Sequence, residues 1–128
     1  MTGRLWGDPS SDASQRPVVK LVDLIISEGI VSGASAIRLS LEPQGCVVSY
    51  EVNGAWRQQM KIPSAAGQPV FNRIRVMALL DRTSVPRPHA GEIHVLVNDV
   101  RYLLLATLGR DPSGSEEASI RITKADAA

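Results

Sequence analysis

The chain has 128 residues, of which 44% are hydrophobic and 21% charged, and its formal net charge is +1. That size and balance fit one globular domain and supply no basic field for nucleic acid. The most apolar stretch is interrupted by Lys20, Asp23 and Glu28 and is too short to cross a bilayer, while a lone cysteine, Cys46, excludes a disulfide framework. With no long apolar leader at the start, the expected setting is the cytoplasm.

Residues 1–15, "MTGRLWGDPSSDASQ", are rich in Ser, Asp, Gly and Pro and read as a disordered tail, with Trp6 packing loosely on its own domain. The folded domain is expected over residues 16–124, followed by a short tail at 125–128. Pro17 suits the first turn of a helix, where a missing N–H costs nothing. Val18, Leu21, Val22, Ile25, Ile26 and Ile30 then recur at helical spacing, Val19 and Leu24 widen the stripe, and Gly33 supplies the stop.

"SAIRLSLEP" alternates at Ile37, Leu39 and Leu41 and ends in a Pro-Gln-Gly turn. "CVVSYEVNGAW" reads as a strand closed by Asn53-Gly54, a strong hairpin signal. "AWRQQMKIP" returns as the next strand, with Trp56 and Met60 assigned to the covered side of the sheet. A second helix over Ala65 to Leu80 carries Val70, Ile74, Met77 and Leu80 at core spacing. After the Pro-rich connection "RTSVPRPHAG", "EIHVLVND" and "VRYLLLATL" form a hairpin across Asn98-Asp99, and "EASIRITK" closes the sheet. The order α-β-β-β-α-β-β-β, with short connections throughout, predicts an α/β (α+β) fold: a mainly antiparallel sheet with helices packed on it. The two halves echo each other as one helix followed by three strands.

Catalytic chemistry is hard to find. Cys46, His89 and His94 have no metal-ligand spacing, and Cys46 has no His or Asn in a recognisable partner motif. No Gly-x-Ser-x-Gly elbow is present. "GRDPSGSE" resembles a phosphate loop superficially but lacks the Gly-Lys-Ser/Thr ending, so it reads as a hairpin connection. Glu116 and Glu117 are adjacent in a strand and so point to opposite faces. The chain is therefore read as non-enzymatic, with no catalytic residue, metal or cofactor. Lysine occurs only at Lys20, Lys61 and Lys124, so arginine dominates the 14 basic residues. Arg73, Arg75, Arg82 and Arg87 gather on the second helix and the loop after it, as candidate partner or phosphate contacts. A solvated helix face is the plain alternative.

"PVVKLVDLIISEGIVSGAS", "YEVNGAW" and "FNRIRVMALLD" together resemble the N-terminal domain that precedes the motor in the hexameric ATPases of type II secretion and type IV pilus assembly. The resemblance runs from Pro17 to Ile122 and includes Pro88, Gly91 and Ile93 and the Thr107-Leu108 pair. It implies a PAS-like α/β module with the same order of elements. In that family several arginines face the nucleotide held by a neighbouring motor domain. This chain departs from the family pattern at several positions, some of those arginines among them. Ala36, Ile37 and Arg38 replace Asp-Ile-His; Ser49, Tyr50 and Glu51 replace Arg-Tyr-Arg; Val85 and Pro86 replace an arginine pair. Ala90, Gly91 and Glu92 replace Asp-Gly-Arg, and Tyr102, Leu104 and Ala106 replace the Asp, Arg and Ser of the next strand.

An apolar skeleton kept while a phosphate-facing set is lost implies a scaffold without the ATPase-coupling role. No Walker A sequence is present, and a free-standing domain is expected over an excised piece of an active ATPase. The leading functional expectation is a non-catalytic interaction module of a bacterial type IV pilus or type II secretion system. It would bind the assembly ATPase, its regulator or a second copy of itself, without nucleic acid or membrane insertion, and would be recruited to the inner-membrane face of the machine. Val85 and Leu104, apolar in place of charged residues, would suit a drier interface. The alternatives are a PAS-like sensor of a small ligand or nucleotide, and an arginine donor in trans through Arg75, Arg82 or Arg87.

Overall fold

The computed structural model describes residues 9–81 and 90–125, with side chains described over 17–78 and 90–125. It contains α1 (Pro9–Val31), β1 (Ala36–Glu42), β2 (Gly45–Val52), β3 (Ala55–Pro63), α2 (Ser64–Asp81), β4 (Ala90–Val97), β5 (Val100–Arg110) and β6 (Glu116–Lys124). This is the expected α+β order. Helix α1 begins at Pro9, eight residues before the expected start, so Pro17 lies inside it. Once a following segment is packed, extending a helix backwards costs far less than nucleating one, and the Ser-rich lead-in takes that route. Residues 1–8, with Trp6, lie outside the described residues.

The end of α1 is set by Gly33, whose φ of 82° is easily adopted only without a Cβ. Its N–H donates to the Ile30 carbonyl at 3.0 Å and the Ala34 N–H to the Gly29 carbonyl at 2.9 Å, the paired bonds of a Schellman cap. Asn53 and Gly54 (φ 55° and 79°) and Asn98 and Asp99 (φ 53° and 65°) form the two tight hairpin turns read from the sequence.

The six strands form one sheet in the order β3-β2-β1-β6-β5-β4, with every neighbouring pair antiparallel. Each half is a three-stranded meander, and the seam joins β1 to β6 with Ile37 opposite Ile120 and Leu39 opposite Ala118. Both helices lie on one face. Helix α2 crosses from Gly67, beside Leu41 and Cys46, to Ala78, against Gly91 of β4. Helix α1 sets Gly29 against Ile37 and Tyr50.

Alternation in the strands and the 3.6-residue repeat of the helices converge on this layer. Val22, Ile25 and Ile26 of α1 and Val70, Phe71 and Ile74 of α2 are buried over Ile37, Leu39, Val48, Tyr50, Leu104 and Ile120. Leu24, expected to widen the α1 stripe, is instead 48% exposed. The Tyr50 hydroxyl donates to the Ile25 carbonyl at 2.6 Å inside the core, tying β2 to α1.

Burial also makes two ionisations unfavourable. It pushes Tyr50 from 10.0 to about 12, with Glu28 adding to the shift, and Cys46 from 9.0 to about 11, with Glu42 adding. Both groups release protons more readily when unfolded, so their stabilisation is complete below about pH 9 and is lost as pH rises towards 12. The urea midpoint should therefore fall between pH 8 and pH 11, and Tyr50→Phe should flatten the upper part of that fall. An unchanged midpoint would place both groups in water.

Candidate interaction surface

Because strand neighbours point to opposite faces, the residues that bury Ile37, Tyr50, Leu104 and Ile120 under the helices turn Arg38, Ser49, Glu51, Leu105 and Arg121 to the other side. No described element covers that side. Leu105 is 43% exposed, Leu96 of β4 63% and Trp56 38%.

Trp56 reaches this face through an irregularity in β3. The register shifts between Val48 and Ser49, which face Met60 and Gln58 respectively, so Gln59 is an extra residue. Trp56 and Met60 would share a face in a regular strand. The bulge separates them: Met60 packs against the core as expected, whereas Trp56, opposite Glu51, lies on the bare face. The sequence expectation for Trp56 is thereby corrected.

Arg38 organises the bare face around it. Its guanidinium carbon lies 4.0 Å from the centroid of the Trp56 ring and its Nε 3.8 Å from Glu117 Oε2. The stacked cation holds a large apolar ring in place at a partly exposed site. Glu51 is fixed as well, since Ser35 Oγ donates to its Oε1 at 2.9 Å and the Ser35 N–H to its backbone carbonyl at 2.8 Å. Pattern reading missed the Arg38–Trp56–Glu117 cluster, because three strands and a bulge create it.

Of the four arginines singled out from the sequence, Arg73 and Arg75 are among the described residues, and they do not share a face. Residues two apart on a helix are separated by about 200° around its axis, so Arg73 and Arg75 leave α2 on opposite flanks. Arg75 is occupied: Nη1 donates to Asn72 Oδ1 at 3.1 Å and Nη2 pairs with Glu116 Oε2. Arg73 has its Nε shielded from solvent. Arg82 and Arg87 lie outside the described residues.

Cys46, the loop at Asp111 and the Glu116-Glu117 pair take structural roles, while His89 lies outside the described residues. Cys46 is fully buried, with its thiol pushed to about 11, so it is poorly placed as a nucleophile. Among the described residues no cluster of three metal-capable side chains occurs. The loop resembling a phosphate cradle turns its donors onto its own carboxylate. Asp111 Oδ1 accepts from Ser113 Oγ at 2.6 Å, the Ser113 N–H at 2.9 Å and the Ser115 N–H at 3.0 Å. The Ser113 hydroxyl leads in holding the Asp111 carboxyl below its usual range, and a carboxylate there disfavours phosphate. Glu116 pairs with Arg75 on the helix side and Glu117 with Arg38 on the bare side, in keeping with opposite faces.

The departures noted in the sequence sort by face. Ala36, Arg38, Ser49, Glu51 and Glu92 all belong to the bare side. Leu104 and Ala106 are fully buried under the helices, so Leu104 serves the core and not a dry interface. Val85 and Pro86 lie outside the described residues.

The geometry defines a two-layer α+β domain with both helices on one sheet face and a largely uncovered second face. The chain belongs to the type II/IV secretion system protein family, whose family model matches residues 11–128. It is 30% identical over 83 residues to the type IV pilus assembly ATPase PilB of Myxococcus xanthus, covering 65% of this chain and 15% of that protein. It is 31% identical over 81 residues to type II secretion system protein E of Pseudomonas aeruginosa, covering 63% of this chain and 16% of the relative. Against the putative type II secretion system protein E of Escherichia coli it is 27% identical over 105 residues, covering 79% and 21% respectively. The chain thus matches only a small part of each of these longer proteins.

Proposed function

We propose that residues 16–124 form a non-catalytic interaction module of a type IV pilus or type II secretion machine, working at the cytoplasmic face of the inner membrane. Its partner is the assembly ATPase or a regulator of it. The observation that carries this reading is the bare sheet face, where Trp56 is held by Arg38 and Leu105 stands exposed, in a chain whose relatives include pilus and secretion ATPases. An uncovered sheet with anchored aromatic and aliphatic side chains suits protein contact. Glu51, Glu92 and Glu117 set carboxylates beside Arg38 and Arg121 on the same face, which weakens its attraction for phosphate. The space between sheet and helices is filled by Phe71, Tyr50, Leu39 and Leu104, which disfavours the small-ligand sensor.

Purified chain should form a complex with the pilus or secretion ATPase of its own cell, measured by sedimentation velocity. Trp56→Ser and Leu105→Glu alter exposed side chains and should each weaken the complex about tenfold or more while the fold survives. If neither ATPase forms a complex with the chain, or if both variants bind as tightly as the unaltered chain, this reading fails.

A further inference from the structure

Among the described residues no strand pairs on the outer edge of β3 or of β4, and the two strands treat those edges differently. Strand β3 carries a bulge, Lys61 and a terminal Pro63, all of which discourage pairing with another strand. Strand β4, "AGEIHVLV", keeps an unbroken register with β5 from Ala90 to Val97 and has neither Lys nor Pro.

The hairpin turn fixes which backbone groups that edge presents. Asn98 and Asp99 have φ of 53° and 65°, so Val97 and Val100 close the turn as a hydrogen-bonded pair. By antiparallel alternation Ile93 and Val95 bond to β5, while Glu92, His94 and Leu96 direct their N–H and C=O groups off the edge. Their side chains stand on the bare face, and Leu96 is 63% exposed.

We propose that β4 is a self-association edge, on which two copies of this chain pair antiparallel about a two-fold axis through Ile93. An axis perpendicular to the sheet keeps the helices of both copies on one side, so only residues of the same face come opposite each other. An axis through Ile93 sets Glu92 opposite the second copy's His94, and the converse, with Leu96 opposite Ala90. Two carboxylate acceptors thus meet two imidazole donors. An axis through His94 would set imidazole on imidazole and Glu92 against Leu96. The imidazole has two ring nitrogens, so contacts within its own chain and across the axis are compatible.

On the helix side the same register brings Ile93 onto Ile93 and the second copy's Gly91 onto Val95. The groove lined by Asp23, Ile26, Ser27 and Val95 to Val97 opens there. Ala78, which lies over Gly91 in its own chain, is thereby carried to the mouth of that groove.

This pairing deepens the interaction-module reading by naming one partner, and it uses side chains other than Trp56 and Leu105, so each can fail alone. Sedimentation equilibrium on the full chain between about 10 μM and 1 mM should show the mass rising from 13.8 kDa towards twice that value. Glu92→His and His94→Glu, with folding checked by circular dichroism, should each weaken the dimer about tenfold. The double variant carrying both changes restores the complementary pairs and should recover to within about threefold of the unaltered chain. A monomer at every concentration overturns the pairing. So does a dimer indifferent to the single changes, or a double variant as weak as either.

Discussion

Leu104→Arg should abolish cooperative folding. Leu104 is fully buried between β5 and the helices, with Ile93 opposite on β4 and Ile122 opposite on β6. Replacing it removes a large apolar side chain from the centre of the layer and buries a guanidinium with no partner. The two effects together should cost more than about 4 kcal/mol, a large share of what a domain of this size has to lose. Leu105→Arg, one residue along and 43% exposed, should change stability by only about 0.5 kcal/mol. Urea unfolding followed by circular dichroism separates the two. If Leu104→Arg unfolds at the same urea concentration as the unaltered chain, position 104 faces solvent and β5 is displaced by one residue. The contrast thus tests the face assignment of the whole strand.

Gly91→Val is the second large effect. A Cβ at Gly91 would lie 2.7 Å from the Ala78 carbonyl oxygen and 2.8 Å from its Cβ, both held by the last turns of α2. Neither atom is the flexible end of a side chain, so α2 and β4 must separate. Overpacking of this kind, with loss of contact along the helix, should lower stability by about 2–4 kcal/mol. Gly109→Ala makes the control: a Cβ there meets nothing within 4 Å, and the change should be neutral or slightly stabilising. Equal urea midpoints for Gly91→Val and the unaltered chain would show that α2 does not press on β4.

The aliphatic framework was legible because its signals are local. Val22, Ile25 and Ile26 recur at helical spacing, Ile37 and Leu39 alternate, and Asn53-Gly54 and Asn98-Asp99 mark turns that only a few residue types adopt easily. The functional face was only partly legible. Of Arg73, Arg75, Arg82 and Arg87, which read as a group, the two described members Arg73 and Arg75 diverge around α2, and Arg75 is committed to Asn72 and Glu116. Regular alternation puts Trp56 on the covered side with Met60, but the extra residue at Gln59 reverses it, and neither Gln58 nor Gln59 announces a bulge.

By itself, then, the sequence determined the order of elements, both tight turns, the helix stop at Gly33 and the family's aliphatic skeleton, since each depends on residues within a few positions of one another. Only the tertiary structure decided that β1 joins β6 at the seam, that Arg38 stacks on Trp56 two strands away, and that Leu104 is core while Leu105 is surface. Those outcomes depend on strand register between segments far apart in the chain. A single inserted residue reverses which side chains face water, and no local pattern carries that information.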